Sequence, residues 1–567
     1  MTVTVAHAVG AALAQAGMRT VFGVVGSGNF HVTNALTEGG ARFVPARHEG
    51  AAAVMADAYA RVRGDAGVVS VHQGPGLTNA MTGITEAAKS RTPLLILAAE
   101  VTNPRSNFHI DQAALAQAIG AIPERVTSAA TAAADLERAY RTAVHGRRTV
   151  LLNLPLEVQE AAATETFGIR ESPAPLLPAP DPETVAALTD ALTAARRPVF
   201  VAGRGARRAH QNLKDLAERI GALVATSAVS RGFFRGEPWN LDVSGGFATP
   251  VAAELIRDAD LIAGWGCALN MWTTRHGSLV GPAATVVQVD IDGDALGAHQ
   301  PVDLGVVGDV AATARAVLEE LDRRGGISPG GRPPQTPPHG GTIPPVPPLG
   351  YRTAKIAERI AREGRWRDVP FEPVAEPGRI DPRTLSIALD DLLPAERTVA
   401  VDSGNFMGYP AMFLDVPDAE GFVFTQAFQS VGLGLASAVG AAVARPDRLT
   451  VAATGDGGLL MGVSELETVV RLGLDMAVVV YDDEAYGAEV HHFGPDGFPL
   501  EHVRFPPSDI ASIGRGFGFE AVTVRSESDL EPVRDWARGP RSRPLLIDAK
   551  VMQGAPSWWL EEAFRGH

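Results

Sequence analysis

Short runs of β-branched and aliphatic residues recur along the chain, each followed by an alanine-rich stretch with helical spacing. They fall into three blocks. The first holds TVFGVV (20–25), GVVSVHQG (67–74) and PLLILAAE (93–100). The second holds PVFVAG (198–203), DLIAGWG (260–266) and TVVQVDID (285–292). The third holds TVAVDSG (398–404), LTVAATGDG (449–457) and MAVVVYDD (476–483). Apolar runs with little alternation are the mark of parallel strands covered on both faces by crossover helices. The pattern predicts an α/β chain of three doubly wound, mostly parallel-sheet domains. We place a first domain over 1–175, a central Rossmann-like domain over 183–324 and a third over 379–567. Between them, 325–378 reads as linker and connecting helix. The stretch GGISPGGRPPQTPPHGGTIPPVPPLG (325–350) is too rich in proline and glycine for a helix or a central strand. The N-terminal MTVTVAHAVGAALAQAG lacks the basic start of a secretory signal and reads as an amphipathic helix of the first domain.

Composition narrows the class without changing this layout. At 567 residues the chain exceeds one hydrophobic core. With 46% hydrophobic and 20% charged residues it belongs with globular proteins. A formal charge of −15 argues against generic binding to nucleic acid or anionic membrane. No apolar run is long enough to span a bilayer. The single cysteine, Cys267, excludes an intrachain disulfide framework and a cysteine-based metal cluster, and a reducing cytoplasm is expected.

In sheets of this kind ligands sit beyond the carboxyl ends of strands. That rule directs attention to 23–29, 72–79, 403–406, 455–458 and 482–487. The segment TGDGGLLMGVSELETVVRLG runs from a strand end into a helix. Gly455, Gly457 and Gly458 allow a tight turn whose amides approach phosphate oxygens, and the helix N-terminus favours an anion. Asp456 offers a hard oxygen ligand of the kind Mg²⁺ takes. The next strand ends in Asp482-Asp483, and a parallel crossover brings Asp456 and Asp483 to one edge. A GDG turn followed by a helix, a strand and a second oxygen ligand is more specific than two unrelated acidic turns.

This segment resembles the motif of the thiamine-diphosphate-dependent enzymes, which opens with GDG and closes on a paired Asn-Asn. The resemblance implies thiamine diphosphate as cofactor with Mg²⁺ or another divalent cation. It matches Asp456 and Asp483 to the side-chain metal ligands and the carbonyl of Ala485 to the backbone ligand, with Tyr486 and Gly487 completing the cofactor loop. Two aspartates replace the usual asparagines, which adds negative charge beside a diphosphate. FVPARHEGAAAVMADAYARVRG (43–64) is similar to the segment carrying the activating glutamate, here Glu49. Such a carboxyl group hydrogen-bonds the aminopyrimidine ring and promotes loss of the thiazolium C2 proton. Read alone, Glu49 is equally a favourable residue at a helix start. In AFQSVGLGLASAVGAAVARPDR (427–448), Val431 falls where the family wedges a bulky apolar side chain under the cofactor, and Gln429 where a carbonyl accepts from its amino group. In DSGNF (402–406), Ser403 and Gly404 either reach the diphosphate or form an ordinary turn.

The resemblance runs from Gly23 to Gly487 in order and implies pyrimidine-binding, central and diphosphate-binding domains. It also implies a homodimer or homotetramer, with Glu49 of one subunit meeting the diphosphate domain of another. At the substrate end, Ser27, Gly28 and Asn29 resemble the first substrate loop. VHQGPGLTN (71–79), which includes Gln73, resembles the acetolactate synthase loop, while His72 stands where a related decarboxylase has a catalytic histidine. A histidine packed at a strand end is the competing reading. His109 aligns loosely with a substrate-contacting glutamine, and His491-His492 follow the cofactor loop. In the central domain GRGARR (203–208) lacks the full dinucleotide glycine pattern. FAD there stays an open expectation, with Arg204 and Arg207 equally readable as surface charges.

The expected activity is acetolactate synthase-like: decarboxylation of a small 2-oxo acid and transfer of the acyl-anion equivalent to an aldehyde or a second 2-oxo acid. The alternatives are a non-ligating 2-oxo acid decarboxylase or C–C lyase, and a catalytically silent regulatory homologue. Retention of Glu49 speaks against the last, because binding alone needs no acid at that point.

Overall fold

A computed structural model describes residues 3–164, 167–170, 176–325 and 350–563. Most of the proline-rich linker lies outside the described residues. The fold consists of three six-stranded parallel sheets flanked by helices. The first contains β1 (Thr20–Gly23), β2 (Arg42–Pro45), β3 (Gly67–Val71), β4 (Leu94–Glu100), β5 (Ile122–Arg125) and β6 (Thr149–Pro155), ordered β2-β1-β3-β4-β6-β5. The central sheet contains β7 (Pro198–Ala202), β8 (Leu223–Thr226), β9 (Asn240–Val243), β10 (Leu261–Trp265), β11 (Thr285–Asp290) and β12 (Leu304–Val307), ordered β12-β11-β10-β7-β8-β9. The third contains β13 (Arg397–Val401), β14 (Phe422–Phe424), β15 (Leu449–Gly455), β16 (Met476–Asp482), β17 (Glu520–Val524) and β18 (Leu545–Lys550), ordered β14-β13-β15-β16-β18-β17.

In each sheet the strand order reverses near the middle, at β1/β3, β7/β10 and β13/β15, and the first and third sheets reverse again at the edge, at β6/β5 and β18/β17. At such a point the two crossovers leave on opposite faces and open a crevice at the carboxyl ends. Strands β3, β4, β6 and β16 are buried along their whole length, as double coverage requires.

The chain divides into two compact units. One contains the first and third sheets: residues 1–175, 374–410 and 423–556. Its core joins the helix Glu49–Arg63 to the helix Gly434–Ala444. The other contains the central sheet, 176–373, together with 411–422 and the segment from 557 onward. Within that unit the buried Arg231 donates to the carbonyl of Leu414 at 2.7 Å, and Trp366 Nε1 donates to that of Phe247 at 2.6 Å. Trp366 also stacks on Trp558 with ring centroids 5.6 Å apart. No described helix is long and apolar enough to cross a membrane.

Candidate active site

At the β1/β3 switch point the 24–29 turn is closed by Asn29, which is buried. Its Oδ1 accepts from the Gly26 amide at 2.8 Å, and its Nδ2 donates to Val24 O at 3.2 Å and Ser70 Oγ at 3.0 Å. Asn29 therefore spends its amide on the loop, while Ser27 is left exposed at the tip. Gly28 is buried against the Gln73 side chain, whose Oε1 is buried without a hydrogen-bond partner.

His72 follows β3. Its Nδ1 lies 2.9 Å from the Gln73 carbonyl, which can only accept, so Nδ1 carries the proton. In the neutral ring Nε2 is then an acceptor, and Ser27 Oγ stands 3.3 Å from it. The ring edge rests on Phe108, centroids 5.3 Å apart. His109, the residue after Phe108, is exposed. Gln112 joins the cluster, its Oε1 accepting from the Gly74 amide at 3.2 Å.

Glu49 opens its helix behind the N-cap His48, whose Nδ1 accepts from the Gly50 amide at 3.0 Å. The Glu49 carboxylate is half-buried, and Asn79 Nδ2 donates to its Oε2 at 3.0 Å. Gly76 lies between the two groups: a Cβ there would sit 3.0 Å from His72 Cβ and 3.5 Å from Glu49 Oε1. Glu49 and His72 thus share one wall.

Two enclosed carboxylates hold these walls from a distance. Glu465, at the start of the helix that follows the GDG turn, accepts from the amides of Arg47 at 3.0 Å and His48 at 3.1 Å. Burial pushes its carboxyl up, against the pull of those donors. In return Glu86 accepts from the amides of Ala427 at 3.1 Å and Phe428 at 2.6 Å, just before Gln429. Arg61 neutralises it at 2.7 Å.

On the third sheet Asp456 sits at the end of β15 in the first turn of the helix Asp456–Met461, with Gly455 as N-cap and Gly457 and Gly458 beside it. Asp483 follows β16. The two carboxylates are 7% and 9% exposed. Burial, then the charges of Asp483 and Asp482, pushes Asp456 up to about 8. Burial likewise pushes Asp483 up to about 7. Asn405, a residue the sequence reading did not single out, donates to Asp483 Oδ2 at 3.4 Å. Gly487 packs under the same oxygen, where a Cβ would come within 2.1 Å. Tyr486 lies against Gly457 and packs edge-on to Phe505. The Glu484 carbonyl and the Tyr486 amide are taken by Phe505 and Val503, while the Ala485 carbonyl has no hydrogen-bond partner among the described residues.

Across the crevice Asp402, at the end of β13, accepts from the amides of Ser403, Gly432 and Leu433 and from Thr454 Oγ1. Ser403 and Gly404 form the adjoining turn, half-buried. Gln429 is exposed with φ +60°, and Val431 is exposed next to it. Asp402, Asn405, Glu465 and Glu86 act through contacts across the fold, and only the DSGNF strand end hinted at the first two.

Residues 3–123 match the family model of the thiamine pyrophosphate enzyme N-terminal TPP binding domain, 185–317 that of the central domain, and 402–549 that of the C-terminal TPP binding domain. The chain belongs to the thiamine pyrophosphate enzymes. Within the family it stands in the acetolactate synthase and decarboxylase branch. It is 28% identical to an acetolactate synthase large subunit of Parasynechococcus marenigrum (strain WH8102), covering 98% of this chain and 88% of that protein. It is 27% identical to a sulfoacetaldehyde acetyltransferase of Rhodobacter capsulatus, covering 98% and 95%. It is 28% identical to a probable 2-ketoarginine decarboxylase of Pseudomonas aeruginosa, covering 95% and 92%.

The donor set would fit a divalent cation: two enclosed carboxylates, with the charge of Asp483 opposing ionisation of Asp456, and a carbonyl with no partner among the described residues are what a dication relieves. The central turn at 203–208 does not fit a dinucleotide such as FAD. There the amides of Gly203 and Gly205 are taken by the carbonyls of Trp265 and Gly266, and those of Ala206 and Arg207 by their own turn, leaving none of the four to face a phosphate.

Proposed function

We propose that this enzyme decarboxylates a small 2-oxo acid and passes the remaining acyl unit to a second carbonyl, an aldehyde or another 2-oxo acid. The observation that carries the reading is the shared wall of Glu49 and His72. Mg²⁺ or another divalent cation would be held by Asp456, Asp483 and the Ala485 carbonyl. The diphosphate would meet the 455–458 turn and the Ser403–Gly404 turn. When bound, thiamine diphosphate supplies the carbon nucleophile and the electron sink that decarboxylation needs. Glu49 holds or releases a proton at its carboxyl, and Asn79 keeps that carboxyl in place. His72 takes or gives a proton at Nε2, the Gln73 carbonyl fixing its tautomer. Ser27 Oγ extends the reach of that proton to the mouth of the loop.

A homodimer or homotetramer with its active sites at the subunit interface is part of the reading. It is supported by apolar side chains left exposed around both half-sites, among them Phe30, Phe108, Phe428, Val431, Leu460 and Met461. The Ser27–His72 contact favours a second reading, simple decarboxylation, because it equips the wall to protonate a product carbon.

The test is incubation with pyruvate and a panel of aldehydes and 2-oxo acids, with products read by mass spectrometry. Acyloins or 2-hydroxy-2-methyl-3-oxo acids are expected; aldehyde alone transfers the conclusion to the second reading. Glu49→Gln is expected to lose turnover while retaining cofactor binding. Absence of C2-proton exchange on cofactor bound to the wild type would sink both readings.

A further inference from the structure

Asp482 and Asp483 adjoin in sequence but have different surroundings. Asp482, the last residue of β16, is register-paired with Lys550 of β18. The Lys550 ammonium hydrogen-bonds to Asp482 Oδ2, lies 3.1 Å from Asp548 Oδ1 and donates to the Ser508 carbonyl at 2.9 Å. All three charged side chains are at least nine-tenths buried. The other oxygen of Asp482 accepts from the Glu484 amide at 3.1 Å. The carboxylate neutralised by Lys550 on one side therefore holds the loop backbone on the other. Gln553 Nε2 donates to the Asp483 carbonyl at 2.7 Å, and Arg379 donates to Glu484 Oε2 at 2.6 Å. Glu484 itself has φ +56°, a conformation a non-glycine residue keeps only when its surroundings impose it.

These contacts fix the backbone of the Asp483–Ala485 loop, and the Ala485 amide in turn donates to the Asp483 carboxylate. Asp483 has Asn405 beside it but no cation among the described residues, and the Ala485 carbonyl is unpartnered. Asp456 is 7% exposed, and among the described residues its carboxylate meets backbone amides of its own turn. Lys550 is committed to Asp482 and Asp548, so among the described residues the Asp456–Asp483 pair has no counter-ion.

We propose that the Lys550–Asp482–Asp548 assembly holds the Asp483–Ala485 loop in its ligating form before any ion arrives, so that this chain takes a divalent cation without the diphosphate cofactor. The inference rests on the metal-and-diphosphate reading of this segment. Two carboxylates supply the anionic charge that a single carboxylate would have to share with the diphosphate, and the prebuilt loop removes the ordering cost of the second ligand. Lys550 is in this sense a positioning residue.

The experiment titrates Mn²⁺ into full-length protein stripped of cofactor and follows bound ion by loss of the free-ion paramagnetic resonance signal. Wild type is expected to bind Mn²⁺ at one site per chain. Asp483→Asn and Lys550→Met are expected to bind about tenfold or more weakly, the usual cost of losing a ligand or its outer support. The triple variant Asp482→Asn/Asp548→Asn/Lys550→Met removes the assembly without leaving a buried unpaired charge and is expected to bind about tenfold more weakly as well, with circular dichroism confirming its fold. If Lys550→Met does not fold, the wild-type, Asp483→Asn and triple-variant titrations decide. Wild-type binding that appears only after thiamine diphosphate is added overturns this inference and leaves the cofactor reading standing. No binding in either condition overturns both. A Lys550→Met, Asp483→Asn or triple-variant chain that binds as tightly as wild type also overturns it.

Discussion

Asp402 is enclosed where β13, β15 and the 430–433 loop converge, and its two oxygens collect donors from all three. Amide donors favour the carboxylate, yet burial outweighs them and pushes the group up to about 6 from an ordinary 3.8. The folded chain therefore keeps a proton there that the unfolded chain gives up. Its contribution to stability is complete below the unfolded value near 3.8 and is lost as pH rises through about 6. The difference is on the order of 3 kcal/mol for a fully enclosed group. Asp402→Asn cannot titrate. In urea melts the wild type should lose roughly 2–3 kcal/mol relative to this variant between about pH 4 and pH 7. A pH-independent gap between the two proteins would show that the carboxyl is not raised.

The helix Glu49–Arg63 opens on the carboxyl proposed to activate the cofactor, and its position depends on how closely its neighbours approach. Alanines occupy much of its buried face, and the helix Gly434–Ala444 comes near enough that a Cβ on Gly440 would lie 2.1 Å from the Met55 carbonyl oxygen. Gly440→Ala gains about 1 kcal/mol of helix propensity but overpacks a rigid backbone, which costs roughly 1–3 kcal/mol. With the Cβ driven against a backbone oxygen the second effect should win, giving a net loss of up to about 2 kcal/mol in denaturant unfolding. Gly516→Ala is the matched control, because nothing lies within 4 Å of a Cβ there; it should stabilise by up to about 1 kcal/mol. A Gly440→Ala protein as stable as Gly516→Ala would show that the helices can separate at no cost.

Much of this scale was legible from the chain. The unbroken apolar run of β16 announced a doubly covered strand, and RHEG followed by alanines announced the Glu49 helix. The edge strands β2 and β5 were not legible: RFVP and IPER are short, partly exposed and carry no hydrophobic period. Nor were the clamps. Glu465 lies 418 residues from Arg47 and reads locally as an acidic residue in the first turn of a helix. Only the packed fold brings its carboxylate to the Arg47 and His48 amides. Lys550 ends an ordinary apolar strand, and its purpose appears only when β18 is set in register against Asp482.

At the scale of the molecule, one compact unit carries both the Glu49 wall and the Asp456–Asp483 wall, and each is bordered by exposed apolar side chains. Such surface on an isolated chain calls for a partner, and the proposed homodimer supplies a second copy of each wall. The pairing can be tested without a structure of the assembly. Glu49→Gln and Asp456→Ala homodimers should each be inactive. When the two variants, carrying different tags, are co-expressed, half of the dimers are mixed. If every site combines Glu49 of one chain with Asp456 of the other, each mixed dimer has one doubly defective site and one intact site, so about a quarter of all sites in an unfractionated mixture should turn over. The purified mixed dimer should reach about half of wild-type turnover. If both residues served a site within one chain, every site in the mixed dimer would be defective and co-expression would restore nothing. Recovered activity in the doubly tagged fraction would therefore assign Glu49 to the neighbouring subunit, and its absence would place both walls of a site on the same chain.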